Sequence, residues 1–154
     1  LNVERVIADI AALAEADARQ HDASIDFGVA AQLPTVRGDP IQFQQVILNL
    51  IRNGLEAMTA MPAGTRALTV RARLDYAGRV VIGVSDLGPG LPDAVAARIF
   101  EPFFTTKPSG LGMGLVISRS IAEAYGGSLW MTKNAERGVT FHLALPATTA
   151  EEEP

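Results

Sequence analysis

The chain has no cysteine and only two histidines in 154 residues. The first absence excludes disulfides, thiolate nucleophiles, zinc ribbons and iron–sulfur clusters, and suits a cytoplasmic address. His21 and His142 are too few and too far apart for a multi-histidine metal site or H-E-x-x-H chemistry, so both read as structural. There is no signal peptide and no apolar run of 18 or more residues, so no direct membrane contact is expected. Basic residues are outnumbered, 13 Lys+Arg against 17 Asp+Glu, for a net charge of -4. That balance argues against a nucleic-acid or anionic-lipid surface, and any phosphate must be gripped locally. No Gly-Lys dipeptide occurs, which removes a Walker A loop, and neither H-R-D nor D-F-G occurs, which removes a eukaryotic-type protein kinase.

What remains is an ordinary globular composition, 48% hydrophobic and 19% charged. One domain is expected, large enough to bury about two-thirds of its surface. A start at Leu1 that enters helical periodicity almost at once suggests a piece of a longer protein. Val3, Val6, Ile7, Ile10, Leu13 and Ala14 fall at helical spacing behind an Asn2 N-cap. Ile25, Phe27 and Val29 alternate as a half-buried strand. Gly38-Asp39-Pro40 opens a helix to about Met58, with Asp39 as cap and Pro40 at the first position. Residues 68–74 and 80–84 form a hairpin about Ala77-Gly78, a short helical turn ends near Phe100, and a helix runs from about Met113 to Tyr125. Residues 129–132 and 139–145 close the chain as a strand pair, the domain ends at 147, and 148–154 form a disordered tail. Two hairpins without regular βαβ alternation give an α+β class, one mixed sheet with helices on one face.

Four stretches could carry chemistry. Asn49 and Asn53, four apart, share one helix face; they are either solvated surface amides or oxygen donors of the kind Mg²⁺ accepts. The apolar strand 80–85 delivers Asp86 into Asp86-Leu-Gly88-Pro-Gly90. This is either a plain turn or a carboxylate placed to accept from adenine's exocyclic amine, with glycines that admit a flat ring. Gly110-Leu111-Gly112-Met113-Gly114-Leu115 precedes a helix and would aim backbone N–H groups at an anion. Its spacing is not the Rossmann G-x-G-x-x-G. In Phe100-Glu-Pro-Phe103-Phe104-Thr105-Thr106-Lys107, Phe100 and Phe103 read as core anchors and Lys107 as a phosphate partner. Thr140 is either an ordinary strand threonine or shares a water with Asp86.

The order of these segments is more specific than any one of them. N-L-I-R-N at 49–53, D-L-G-P-G at 86–90, F-E-P-F-F-T-T-K at 100–107, G-L-G-M-G-L at 110–115 and G-V-T-F at 138–141 together resemble the catalytic ATP-binding domain of bacterial sensor histidine kinases. The details look closest to kinases coupled to PAS sensors, of the FixL type. The group includes the DNA gyrase ATPase, MutL and the heat-shock chaperone ATPases, and is known as GHKL.

The resemblance implies the Bergerat fold, an α/β sandwich with one mixed five-stranded sheet against about three helices. It implies that Asn53 ligates Mg²⁺, Asn49 contacts phosphate, and Asp86 binds the adenine amine in a pocket shaped by Ala57, Gly88 and Gly90. Phe104, Thr105, Thr106, Lys107 and the stretch Gly110, Leu111, Gly112, Met113, Gly114, Leu115 would surround the phosphates, and Thr140 would support Asp86. Asn49, Asn53 and Lys107 would be the catalytic groups. The implied reaction moves the γ-phosphoryl group of Mg·ATP to a histidine on a separate dimerisation and phosphoacceptor domain, and a response regulator follows. His21 lacks the sequence context of that acceptor, so a monomeric catalytic piece of a homodimeric parent, itself free or membrane-anchored, is expected. The other readings are a nucleotide-binding regulatory module that transfers nothing and a GHKL ATPase fragment. Three departures stand out: Gly54 for the usual Ala and Leu87 for Asn or Thr, which would loosen the pocket, and only Pro108-Ser109 between Lys107 and Gly110, which would shorten the lid.

Overall fold

The computed structural model describes residues 1–104 and 114–148. The chain opens with α1 (Val3–Gln20), where the Asn2 side chain accepts from the Arg5 N–H at 3.0 Å and caps the first turn. Val3, Val6, Ile7, Ile10, Ala14 and Ala18 form its buried stripe. Leu13, expected on that stripe, is largely exposed, because it falls one position to the side of the Ile10–Ala14 row. After β1 (Ala23–Val29), the chain enters α2 (Pro40–Ala57), whose start is fixed as expected: Asp39 Oδ1 accepts from Ile41 N–H at 2.8 Å and Pro40 occupies the first turn.

Helix α2 is the centre of the helical layer. Phe43, Val46, Ile47, Leu50, Ile51 and Leu55 are buried on it, and it packs against α1 on one side and, on the other, α4 (Gly114–Ala124). Each such buried side chain contributes about 1.5–3 kcal/mol of transfer free energy. The strands are β2 (Arg66–Leu74), β3 (Arg79–Ser85), β4 (Ser128–Lys133) and β5 (Val139–Pro146), with a single helical turn α3 (Asp93–Ala96) between β3 and α4. Their order is β1-β2-β3-β5-β4; β1 runs parallel to β2 and the other pairs are antiparallel, giving the mixed five-stranded sheet expected. Three long helices and one short turn cover one face, as the resemblance implied.

Period-two alternation sets which side chains meet the helices. Leu68, Val70 and Ala72 on β2, Val80, Ile82 and Val84 on β3, and Val139, Phe141, Leu143 and Leu145 on β5 join the core. Thr69, Arg71, Gly83, Ser85, Thr140 and His142 therefore lie on the opposite face, lining a shallow concavity. The hairpin between β2 and β3 turns where expected, with Asp75 Oδ1 accepting from the N–H groups of Ala77 and Arg79 at 3.0 and 2.8 Å. Past β5, Ala147 bridges Val36 and Thr148 N–H donates to Thr35 C=O at 2.8 Å, so backbone pairing continues one residue into the expected tail.

One clamp has no local sequence signature. Arg66, at the start of β2, donates Nε and Nη2 to Met61 C=O at 3.0 and 2.7 Å, Nη2 to Thr59 C=O at 2.9 Å and Nη1 to His21 C=O at 2.6 Å. It ties the turn after α2 to the C-cap of α1 by satisfying backbone carbonyls there.

Candidate functional site

The site forms where the last two turns of α2 meet the end of β3. Asp86 follows β3 directly and is 3% exposed, one of two buried polar side chains among the described residues. Its Oδ1 accepts from Gly88 N–H at 2.8 Å and, more weakly, from Val139 N–H at 3.4 Å. No described residue donates to Oδ2, and no buried side-chain oxygen among them lacks a partner, so Oδ2 retains access to solvent. Burial pushes the Asp86 carboxyl above the usual carboxylate range, and the two backbone N–H groups partly oppose that shift.

Close approach explains the glycines beside it. A Cβ on Gly88 would stand 2.7 Å from Ala57 C=O, so the loop lies directly on the C-terminal end of α2. Leu87 N–H contacts Met58 Sδ at 3.5 Å from the same side. Gly54 faces Asp86 across the gap, 3.6 Å from the Asp86 Cβ to an added Cβ. The expected loosening there does not occur: that Cβ would stand 2.4 Å from Leu68 Cδ1, so leucine already fills the space a methyl would take. Gly90 has open space around it and a φ of +81°.

Asn49 and Asn53 lie on α2, about two turns and one turn from its C-terminal end, Asn53 beside Gly54. Asn49 Nδ2 donates to Ser118 Oγ on α4 at 3.2 Å, and a Cβ on Gly114 would meet Asn49 Oδ1 at 2.7 Å. Gly114, the first residue of α4, thus sits against the α2 amide, and Leu115 packs against the core. Three of the segments picked out above therefore converge: the amides of α2, the loop after β3 and the start of α4. Thr105, Thr106, Lys107, Gly110, Leu111, Gly112 and Met113 lie outside the described residues, as does the short Pro108-Ser109 link.

Two expectations change. Phe103 is no core anchor: it is 75% exposed with φ +65°, while Phe100 meets Phe141 edge-on at 6.5 Å and Phe104 lies under the Arg98 guanidinium at 4.5 Å. Thr140 does not reach the Asp86 carboxylate, because alternation along β5 puts Val139 on that side and Thr140 on the other face. Its hydroxyl instead lies 2.8 Å from Ser85 Oγ and 2.6 Å from Asn134 Oδ1. Asn134, which sequence reasoning missed, donates Nδ2 to Asp86 C=O at 3.0 Å. Its partners are 48 or more residues away on one side, so only the fold reveals it.

Comparison with known proteins places this geometry. Over 146 residues the chain is 40% identical to the sensor protein FixL of Bradyrhizobium diazoefficiens, covering 95% of this chain and 28% of FixL. The chain spans little more than a quarter of the length of the curated relatives it matches. The catalytic domain of histidine kinase ThkA, in a nucleotide-free form, superposes with a TM-score of 0.82 at 32% identity, covering 96% of this chain and 94% of that one. Full-length ShkA in complex with AMPPNP superposes with a TM-score of 0.82 at 29% identity, covering 97% of this chain and 31% of that one. The description "histidine kinase-, DNA gyrase B-, and HSP90-like ATPase" matches residues 38–149, from the cap of α2 past the end of β5, and the chain belongs to that family.

Proposed function

We propose that the chain is the catalytic ATP-binding domain of a sensor histidine kinase, which transfers the γ-phosphoryl group of Mg·ATP to a histidine on a dimerisation and phosphoacceptor domain of the same parent, for onward passage to a response regulator. The observation that carries this reading is the Asp86 carboxylate, with Oδ1 held by backbone and Oδ2 open beside α2. A fixed acceptor at the end of an apolar strand accepts from the exocyclic amine of adenine and would meet the O6 acceptor at the same ring position of guanine. Gly88 and Gly90 keep side chains off the ring. The likeness to a kinase solved with AMPPNP supports the same occupant.

At the other end, Asn53 and Asn49 offer neutral oxygen donors on one face of α2. Among the described residues no group of three or more His, Asp or Glu could hold a metal by itself, which fits an ion that arrives with the nucleotide's phosphates and takes its protein oxygen from Asn53. Bound there, Mg²⁺ would neutralise developing phosphate charge. The chain's own part is positioning: Asp86 fixes the base, the α2 amides and Lys107 orient the triphosphate, and the backbone of residues 110–115 donates to it. Asn49 supplies an amide rather than a carboxylate, and an amide cannot take a proton from water, so transfer outcompetes hydrolysis.

The test mixes the domain with a separately prepared phosphoacceptor hairpin and γ-labelled ATP. Label on histidine is the expected result; label nowhere supports a regulatory module, and free phosphate alone supports an ATPase. Asn53→Ala is expected to abolish both the Mg²⁺ requirement for binding and the transfer, and equal transfer by the variant overturns its metal role.

A further inference from the structure

Asp86 is held through its carboxylate and also through its backbone, by residues 134–139. Asn134 follows β4 and closes a tight loop by donating its N–H to Gly138 C=O at 3.0 Å. Its side chain lies among Ser85, Asp86 and Thr140: Nδ2 to Ser85 Oγ at 3.1 Å, Nδ2 to Asp86 C=O at 3.0 Å, and Oδ1 to Thr140 Oγ1 at 2.6 Å. A carbonyl can only accept, so Asp86 C=O fixes which end of the amide is nitrogen. The Thr140 hydroxyl is aimed at both Asn134 Oδ1 and, at 2.8 Å, Ser85 Oγ, and the Asn134 amide donates to both Ser85 Oγ and Asp86 C=O.

The loop that carries Asn134 is also shaped against the same carbonyl. A Cβ on Gly138 would stand 2.1 Å from Asp86 C=O and 2.8 Å from Oδ1, and Gly138 has a φ of +83° that other residues rarely adopt. Asp86 N–H in turn donates to Val139 C=O at 3.0 Å. Both peptide groups flanking the Asp86 Cα are therefore clamped by residues 134–139. On this pinned backbone the carboxylate accepts through Oδ1 from the Gly88 and Val139 N–H groups.

We infer that Asn134 is a positioning residue for purine recognition, which acts through the Asp86 backbone, with Thr140 and Ser85 fixing the Asn134 amide from the outer face of the sheet. The inference rests on the reading of Asp86 as the adenine acceptor, and the experiment separates the two. Calorimetry with Mg·ATP is run on the wild type, Asn134→Leu, Asp86→Asn and the double variant, each with a thermal melt. Asn134→Leu is expected to lower affinity about two- to tenfold, the worth of one net hydrogen bond, and to add nothing further in the Asp86→Asn background. Additive losses, or an unchanged affinity in Asn134→Leu, overturn the positioning role while leaving Asp86 intact. An unchanged affinity in Asp86→Asn itself overturns the acceptor reading instead. Should Asn134→Leu fail to fold, Thr140→Val removes one link to Asn134. It is expected to weaken Mg·ATP binding in the same non-additive way, with Thr140→Ser restoring it; equal affinity in Thr140→Val and wild type then overturns the inference.

Discussion

Replacing Asp86 by Asn should separate binding from stability. The amide is nearly isosteric, and its oxygen can still accept from Gly88 and Val139 N–H, so the loop after β3 keeps its shape. The group then facing the ligand is an NH₂, a donor set against the adenine amine. The loss is a charge-assisted hydrogen bond, about 1.5–3 kcal/mol, or about 10- to 150-fold in ATP affinity. Stability moves the other way. The folded carboxyl has its pKa raised by burial, so its stabilising contribution is present below the unfolded value and is lost as pH rises through the folded value. At neutral pH the ionised wild-type carboxylate is a net cost to the empty fold, which the amide removes. Calorimetry should therefore show weaker binding while the melting temperature of the nucleotide-free variant equals or exceeds that of the wild type. As pH falls through the raised Asp86 pKa, the wild type's advantage in affinity should shrink toward the variant's. Unchanged affinity refutes the acceptor role, and a lower melting temperature in the empty variant shows that the carboxylate holds the fold rather than the ligand.

Other consequences are open to the same instruments. Arg66→Met keeps the aliphatic stem and removes the donors from three carbonyls; with partial exposure the cost is about 2–3 kcal/mol, or a melting temperature lower by about 4–12 °C, and no change on melting would show the clamp to be idle. Gly88→Ala puts a methyl 2.7 Å from Ala57 C=O, a backbone atom that cannot swing aside, so overpacking of about 1–3 kcal/mol and weaker Mg·ATP binding are expected. Equal melting and equal affinity for that variant would mean that the loop does not rest on α2.

Much of this was legible in the sequence where a signal is local. Gly38-Asp39-Pro40 marks the start of α2 because a cap and a proline act within one turn, alternation marks β1, and the turn at Ala77-Gly78 marks the β2–β3 hairpin. The parallel placement of β1 beside β2 was not legible, since it depends on how α2 packs across the sheet. Thr140 is instructive, because its link to Asp86 runs through Asn134 and not to the carboxylate. Phe141 reads as core, and alternation then forces Val139 onto the same face and Thr140 onto the other. The family pattern suggested a hydroxyl at Asp86, while the pleat supplies the Val139 N–H. Arg66 and Asn134 escaped notice because their partners are carbonyls and hydroxyls brought in by the fold, with no motif to announce them.

The way Asp86 is held bears on what the rest of the site must do. A chain of net charge -4 gains nothing from long-range attraction toward a polyanionic nucleotide, so recognition has to come from short-range geometry. The base end has it: the Asp86 peptide groups are bonded to Val139 and Asn134, the carboxylate to Gly88 and Val139, and the loop rests on Ala57. On the proposed reading such a pocket would bind adenine with little reorganisation, which favours affinity. On the same reading, the described part of the phosphate end is the two amides on one face of α2. If the proposed function holds, substitutions at Asp86 and Asn134 should register first in nucleotide affinity, and those at Asn49 and Asn53 first in the rate of transfer.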